Sequence, residues 1–366
     1  MNLDKNKVVI GMSGGVDSSV AAYILKQQGY EVIGVTMQVW PDLEGEELEI
    51  SGGCCGISAV DDARRVADKL NIPFYVMNFK NIFEDTVIKN FISEYKRGRT
   101  PNPCIVCNRY IKFDELLRRA HQLGAYYVAT GHYANIYFDG ITGQYRIKKS
   151  KAVEKDQTYA LYHFSQKQLS HTLMPLGNFN SKDEVRRMAS ELGLVNANKP
   201  DSQEICFIKD NDYGKFIHEA APEGIEPGNF VDIQGNVLGK HKGIVHYTIG
   251  QRKGLDIAIG KRTYVVEIKA HDNQVVLGDN EEVFGTELIA EDVSFVFLEQ
   301  LQEPLPVKAQ IRYNAVAADA VLYPMENGCV KIVFDCPQRA ITPGQAVVFY
   351  QEDILLGGGT ITTKLR

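Results

Sequence analysis

No stretch of this chain approaches the ~18 consecutive apolar residues that a membrane-spanning helix needs, so a membrane protein is not expected. The opening residues, MNLDKNKVVIG, carry an acidic residue and only a short apolar run, a poor secretory signal. Seven cysteines are too few, and odd in number, for a disulfide scaffold. They fit a reducing compartment, where thiols serve as core residues, metal ligands or reactive groups. Internal repeats and low-complexity tracts are absent as well. A cytoplasmic protein is therefore the expectation. Disorder is excluded as the dominant state, because 16 Phe and 18 Tyr in a 44% hydrophobic chain would have to stay wet.

With 366 residues the chain is long enough for two or three domains. The net charge of -6 argues mildly against a nucleic-acid partner, but its distribution does not. Acids gather in 42–49 and 281–303, whereas Lys240, Lys242, Arg252, Lys253, Lys261 and Arg262 face only Asp256 between them. Residues 80–119 are also basic, so a basic face on an acidic protein is expected.

The first ~210 residues alternate strand and helix patterns, which predicts an α/β domain with a parallel sheet. Lys7–Met12, Glu31–Trp40, Pro73–Phe79 and Tyr126–Thr130 are apolar enough for buried strands. Helices are predicted over Asp17–Gln28, Val60–Leu70, Ile82–Tyr95, Asn108–Leu123, Gln157–Leu169 and Lys182–Leu192. Phe113, Leu116, Leu117 and Ala120 form a core-facing stripe, and Ser181 with Glu184 reads as a capping box. Boundaries near 213 and 280 follow: a domain over 1–213, a small central domain over 214–280, and a C-terminal domain over 281–366. From Arg262 onward the chain reads as short strands with turns, an antiparallel sheet or small β-barrel.

Chemistry concentrates first in Ser13-Gly14-Gly15-Val16-Asp17-Ser18-Ser19, between the first strand and the first helix. Two glycines permit positive φ and close approach of backbone N–H groups, and a helix N-terminus favours an anion. The loop has no lysine, so it is not a Walker A loop. A Gly-rich turn without a ligand is the alternative. The second concentration is cysteine. Cys104 and Cys107 form a CxxC held extended by Pro101 and Pro103, open to reading as a metal half-site, a redox pair or iron–sulfur ligands. Cys107 precedes Asn108, an N-cap residue, with Arg109 close by, and both features favour thiolate. A second CxxC or histidines at zinc-ligand spacing are not evident. Cys206 lies in a turn leading to an apolar run and reads alone as a structural thiol.

SGGVDSS resembles the pyrophosphate loop (PP-loop) of the ATP pyrophosphatase superfamily, with its HUP-type, adenine nucleotide α-hydrolase-like fold. Together with NPxxxCN at Asn102–Asn108, DSQxICF at Asp201–Phe207 and HYTIGQRKGL at His246–Leu255, it makes the whole chain similar to the tRNA-specific 2-thiouridylase family. That resemblance implies ATP, with Mg2+, bound by Gly11, Met12, Ser13, Gly14, Gly15, Val16, Asp17, Ser18, Met37 and Gly131. It implies Cys107 as nucleophile and Cys206 as the persulfide carrier, and Asn102, Pro103 and Cys104 against the target base. It implies tRNA contacts at His132, Lys155, Asp156, Gln157, Arg312, Tyr313 and Gln345. The implied reaction adenylates the C2 oxygen of the wobble uridine of tRNAs for Lys, Glu and Gln, then places at C2 a sulfur delivered by a persulfide carrier protein; a monomer suffices for one tRNA.

The family pattern carries Asp where this chain has Cys104. Cys104, Cys107 and Cys206 therefore also match the trio with which related thiolases hold a [4Fe-4S] cluster, an alternative to the persulfide route. A small-molecule adenylating synthetase and a non-catalytic nucleotide-binding module are the remaining alternatives. Cys54 and Cys55 have no assigned role, and Cys329 and Cys336 fall in β patterns.

Overall fold

The structure, a computed structural model, describes residues 3–39, 57–201, 205–208 and 212–365. Trp40, at the end of the second predicted strand, and Cys54 and Cys55 lie outside the described residues. The chain divides into two compact units. One comprises Met1–Val87, Cys104–Asn211 and Asp353–Leu355; the other comprises Ile88–Pro103, Asp212–Glu352 and Leu356–Arg366.

In the first unit, β1 (Asp4–Gly11), β2 (Glu31–Gln38), β3 (Phe74–Asn78), β4 (Ala125–Ala129) and β7 (Thr172–Leu173) form a parallel sheet in the order β3-β2-β1-β4-β7. Val9 pairs with Ile33 on one side and Val128 on the other, and Val8, Val9 and Ile10 are fully buried, as a central parallel strand requires. Helices α1 (Val16–Gln27) and α2 (Ile57–Leu70) cover the sheet with Val20, Leu25, Ala63 and Val66 in one core. Val185 and Ala189 of helix Lys182–Glu191 join that core. The chain leaves β1 outward through β2 and β3, then returns to β1's other side at β4. That reversal opens a crevice at the carboxyl ends of β1 and β4, the place where open α/β sheets bind ligands.

Several sequence expectations are corrected. Helical structure begins at Pro103, not Asn108: Pro103–Cys107 runs into a π-helical stretch Asn108–Glu115 and then Leu116–Gln122. Proline suits a first helical position because its φ is preset and its missing N–H would be unpaired there anyway. Asn108 is buried and donates its side-chain amide to the Ala160 carbonyl at 3.1 Å, so it caps nothing. The stripe Phe113, Leu116, Leu117 and Ala120 is buried as expected. Gln157–Leu169 is not one helix but a 3-10 turn Thr158–Leu161 and a short helix Gln166–Ser170, capped by Ser165 and Gln168. Ser181 does accept from Glu184 N at 3.4 Å, but the Glu184 carboxylate reaches Asn180 N rather than Ser181. An unpredicted hairpin joins β5 (Ala134–Asp139) to β6 (Gln144–Lys149).

In the second unit, β8 (Gly228–Val231), β9 (Val237–His241), β10 (Tyr264–Lys269) and β11 (Gln274–Gly278) form a sheet in the order β10-β11-β8-β9 around Phe230, Tyr247, Val265 and Leu277. The strands after Arg262 are thus not one sheet: β11 pairs in parallel with β8, a non-local partner. β12 (Phe284–Phe295), β13 (Leu305–Gln310), β14 (Ala318–Pro324), β15 (Val330–Arg339), β16 (Ala346–Gln351) and β17 (Ile354–Lys364) follow in the order β12-β15-β14-β13-β16-β17. Pairing of β12 with β17 closes them into a six-stranded antiparallel barrel filled by Leu288, Leu322, Ile332 and Phe349. Among the described residues no helix is long and apolar enough to cross a membrane.

Candidate active site

The loop after β1 sits at the crevice and is built for backbone approach. Gly14 has φ +69°, and a Cβ there would stand 2.2 Å from the Ala59 carbonyl oxygen, so glycine is required twice over. Met12 is tied into the sheet: its N–H donates to Val35 O at 2.8 Å and its carbonyl accepts from Thr36 Oγ1 at 2.7 Å. Gly11 lies with the Met37 side chain 3.9 Å from where its Cβ would be. The hydroxyls of Ser18 and Ser19 donate to Gly15 O at 3.2 and 2.9 Å, and Ser13 N donates to Ser18 Oγ at 3.2 Å. Val16 and Ser18 are buried at the start of α1. Gly131, just past β4, lies so close to α1 that a Cβ would stand 2.7 Å from Ser18 N. Its absent side chain lets the end of β4 meet the helix start.

Beside the loop lies a charged cluster in which sequence reasoning named Asp17 and Lys155 but missed Lys182, Arg186 and Tyr133. Lys182, 5% exposed, donates through Nζ to Asp17 Oδ2 at 2.6 Å and pairs with Asp201 Oδ1 at 3.0 Å. Lys155 Nζ holds Asp201 Oδ2 at 2.9 Å, and Arg186 stands 3.5 Å from Asp201. The Tyr133 hydroxyl donates to Asp17 Oδ1 at 2.8 Å. Burial, then the Asp17 carboxylate beside it, push the Tyr133 phenol well above its ordinary range, so it remains a donor. Burial would lift the Asp201 carboxyl, but the hydrogen bonds from Lys155 and Lys182 outweigh it and hold the pKa below its usual value. Three cations thus surround two carboxylates, a positive excess next to a loop of N–H groups. Asn196, also unpredicted, is buried and ties the loop through Gly14 O at 3.0 Å and Ser19 Oγ at 2.9 Å.

The cysteines belong to the same unit. Cys104 is exposed, while Cys107 and Cys206 are half-buried. Cys107 sits inside the helix begun at Pro103, with helical φ and ψ, rather than at its N-terminus. The motif residues Ser202, Gln203 and Glu204 lie outside the described residues. Cys206 lies in a turn closed by Ile208 N donating to Ile205 O at 3.0 Å, next to a buried Phe207 that meets Phe83 edge-on at 5.8 Å. Among the described residues no group of three or more Cys, His, Asp or Glu is arranged to hold a metal ion. The [4Fe-4S] alternative for Cys104, Cys107 and Cys206 therefore has no support in the structure.

The other expected contact residues are distributed unevenly. His132 is buried, its Nδ1 2.8 Å from Thr130 Oγ1 and its ring 5.7 Å from Phe113. Asp156 accepts from Ser150 N at 2.8 Å and from Thr158 Oγ1, with burial raising its pKa. Gln157 accepts from Tyr133 N at 2.9 Å, so both side chains hold the site's own frame.

In the second unit, Asn102 and Pro103 end a segment fixed at Thr100, whose N–H donates to Pro343 O at 2.8 Å. Gln345 donates to Thr100 O at 2.8 Å. Arg312 and Tyr313 lie in the turn after β13 rather than on a strand, with Tyr313 exposed. In the β8–β11 module, Lys240, Lys242, Arg252, Lys253, Lys261 and Arg262 are all exposed, Lys261 being paired with Asp279 at 2.7 Å.

Three family models match the chain: a tRNA methyl transferase HUP domain over residues 6–210, a tRNA methyl transferase PRC-barrel domain over 214–279, and an aminomethyltransferase beta-barrel domain over 285–361. The tRNA-specific 2-thiouridylase MnmA of Acetivibrio thermocellus is 61% identical over 359 residues, covering 98% of this chain and all of that protein. That of Clostridium perfringens strain 13 is 59% identical over 364 residues, covering 99% of this chain and all of that one. An NMN synthetase structure from Francisella tularensis aligns at 17% identity with a TM-score of 0.34, over 54% of this chain and 67% of that one.

Proposed function

The chain belongs to the tRNA-specific 2-thiouridylase family, and on that premise we propose that it is an ATP-dependent tRNA sulfurtransferase that replaces the C2 oxygen of the wobble uridine with sulfur. The observation that carries this reading is a glycine loop at the sheet's switch point, backed by Lys182, Lys155 and Arg186, in the same unit as Cys107 and Cys206.

The chemistry follows from what each group offers. The loop's N–H groups, from Gly11 through Ser18, take the β- and γ-phosphates of ATP, with Met37 and Gly131 at the strand ends shaping the crevice. Mg2+ bound with the nucleotide would neutralise phosphate charge beside the loop. The uridine O2 attacks the α-phosphorus and pyrophosphate leaves, which turns an inert amide-like oxygen into a good leaving group. The terminal sulfur of a Cys206 persulfide then attacks C2 and AMP departs. The Cys107 thiolate attacks the Cys206 sulfur, which leaves the C2=S product and a Cys107–Cys206 disulfide. An external dithiol takes up that disulfide and returns both thiols. Asn102, Pro103 and Cys104 face the target base, with a thiol at Cys104 in place of the family's carboxylate.

The finer assignments belong to the same reading. A persulfide carrier protein loads Cys206, and the substrates are tRNAs for Lys, Glu and Gln. His132, Lys155, Asp156, Gln157, Arg312, Tyr313 and Gln345 lie along the RNA path, with the basic residues of 214–280 tracking its backbone. The functional division runs over 1–213, 214–280 and 281–366, and the enzyme acts as a cytoplasmic monomer.

Release of AMP from ATP, with and without unmodified tRNA, tests the proposal. Release that depends on tRNA is expected, and release without RNA would place the protein among small-molecule synthetases. Cys107→Ser should bind ATP and form no 2-thiouridine; full thiolation by that variant would overturn the nucleophile assignment.

A further inference from the structure

Cys104 carries a thiol whose sulfur takes no part in the sulfur transfer described above. It lies in the helical turn Pro103–Cys107, three positions before Cys107, and Cys107 has helical φ and ψ. Side chains three apart on a helix share a face, with Cβ atoms about 5–6 Å apart. A disulfide needs about 3.5–4.5 Å, so a small adjustment of this turn brings the two sulfurs together. Ile105, between them, is buried and fixes which way the turn faces. Cys104 is exposed, whereas Cys107 and Cys206 are both half-buried. All three cysteines belong to one compact unit.

We propose that Cys104 is a resolving thiol, which carries the oxidising equivalent of each turnover from the half-buried cysteines out to the surface. This rests on the functional reading above, in which sulfur transfer ends with a Cys107–Cys206 disulfide, and it changes only how that disulfide is discharged. A protein dithiol must bring its own sulfur into line with one of the bonded sulfurs, and both belong to half-buried residues. Cys104 is already beside Cys107, one helical turn away, and is itself open to solvent. Its thiol gives a proton to solvent, and the thiolate attacks the Cys107 sulfur. The Cys104–Cys107 bond forms as the Cys107–Cys206 bond breaks, and Cys206 leaves as a thiolate that takes up a proton. No electrons enter or leave in that exchange, since one disulfide replaces another. An external dithiol then attacks the Cys104 sulfur, becomes a disulfide itself, and leaves Cys104 and Cys107 as thiols. A disulfide across one helical turn is stretched and is exposed at one end, and both features favour its reduction. Cys206 is meanwhile a thiol again, ready for the next sulfur.

The test is a single turnover read at the level of disulfides. The reduced full-length protein is loaded with persulfide sulfur by a cysteine desulfurase, desalted, and mixed with ATP, Mg2+ and unmodified tRNA transcript. Acid stops the reaction, and the remaining thiols are alkylated with N-ethylmaleimide before tryptic mapping by mass spectrometry. Cys104 and Cys107 fall in one tryptic peptide, residues 100–109, separate from that of Cys206. The wild type should yield this peptide with an internal disulfide and no alkyl group, while Cys206 is alkylated. Cys104→Ser should yield the same peptide cross-linked to that of Cys206. A wild type that makes 2-thiouridine but holds only the cross-link, with Cys104 alkylated, overturns the inference. Absence of 2-thiouridine, or its formation with no disulfide among the three cysteines, overturns the functional reading itself. A second readout is the ratio of later turnovers to the first within one protein, with the desulfurase and cysteine in excess. With reduced thioredoxin as the dithiol, that ratio should fall at least about tenfold in Cys104→Ser relative to the wild type. Dithiothreitol, small enough to reach half-buried sulfurs, should restore it. Equal ratios for the two proteins with thioredoxin would sink the resolving role.

Discussion

The side-chain amide of Gln345 donates to the carbonyl of Thr100 at 2.8 Å, pinning the segment that leads into the NPxxxCN motif onto the barrel's own turn. The neighbouring Gly344, with φ +89°, leaves room for this: a Cβ there would stand 2.8 Å from Thr100 N. Arg99 adds an ion pair to Glu94 at 2.9 Å and another to Glu291 at 2.9 Å. The amide that the family resemblance assigns to RNA is thus already employed in holding the chain.

Gln345→Leu should therefore expose the 97–103 segment. Losing one half-buried amide–carbonyl bond costs about 1 kcal/mol, enough to speed local opening about fivefold. The measurement is limited tryptic cleavage after Arg97 and Arg99, monitored by mass spectrometry. Unchanged cleavage would mean that the segment is held by Thr100 N and Arg99 without Gln345.

Substitutions at the two loop glycines should separate sharply. Gly14→Ala forces a side chain into positive φ and against Ala59, whereas Gly15, at φ -90°, has Ser13 Oγ 3.3 Å from its Cβ position. Strain of 1–2 kcal/mol or more predicts at least about a tenfold loss of ATP affinity for Gly14→Ala. Gly15→Ala should lose clearly less. Equal losses in a nucleotide titration would show that the loop rearranges on binding.

How much of this was readable in the sequence depends on how local the cause is. The loop was legible because positive φ and close approach need glycine at fixed positions, and the central strands were legible because burial on both faces leaves a continuous apolar run. Lys182 was not, because it is one charge among several in a highly charged helix and its partner Asp17 is 165 positions away. The helix start was misplaced for a similar reason: Asn108 has the chemistry of a cap, but its amide is spent on Ala160, and the true start is marked by Pro103. The β10–β11 hairpin was placed inside 214–280 but read as continuous with the antiparallel strands that follow, because its parallel partner β8 comes some forty residues earlier, beyond any local pattern.

The exposed basic residues of the β8–β11 module give a prediction about salt. If Arg252 and Lys253 neutralise RNA phosphates, the double variant Arg252→Gln, Lys253→Gln should reduce the slope of log affinity against log salt by about 1.4–1.8. Affinity for tRNA should fall at all salt concentrations while ATP binding in the other unit stays unchanged. Filter binding over a salt series measures it, and an unaltered slope would remove both residues from the RNA path.

The pH dependence of the first unit turns on His132. Burial, aided by the nearby Lys112, holds its imidazole well below the ordinary pKa, so in the folded chain the ring is neutral at neutral pH. The unfolded chain binds a proton near pH 6.5 that the folded chain refuses until much lower pH. Since the unfolded state binds more protons in that window, stability falls as pH drops below about 6.5, at up to ~1.4 kcal/mol per pH unit. His121 in the same unit is lowered too, by burial and by His171, so the total slope belongs to both rings. The contribution of His132 is the difference between wild type and His132→Gln, which keeps a hydrogen-bonding group near Thr130 but cannot protonate. Denaturation midpoints from pH 7.5 to 5 should converge for the two proteins as pH falls, because only the wild type carries the added proton penalty. Parallel curves would place the ring in contact with solvent. If His132 contributes to the proposed RNA contact, a neutral, buried ring can offer only a hydrogen-bonding edge and no charge for phosphate.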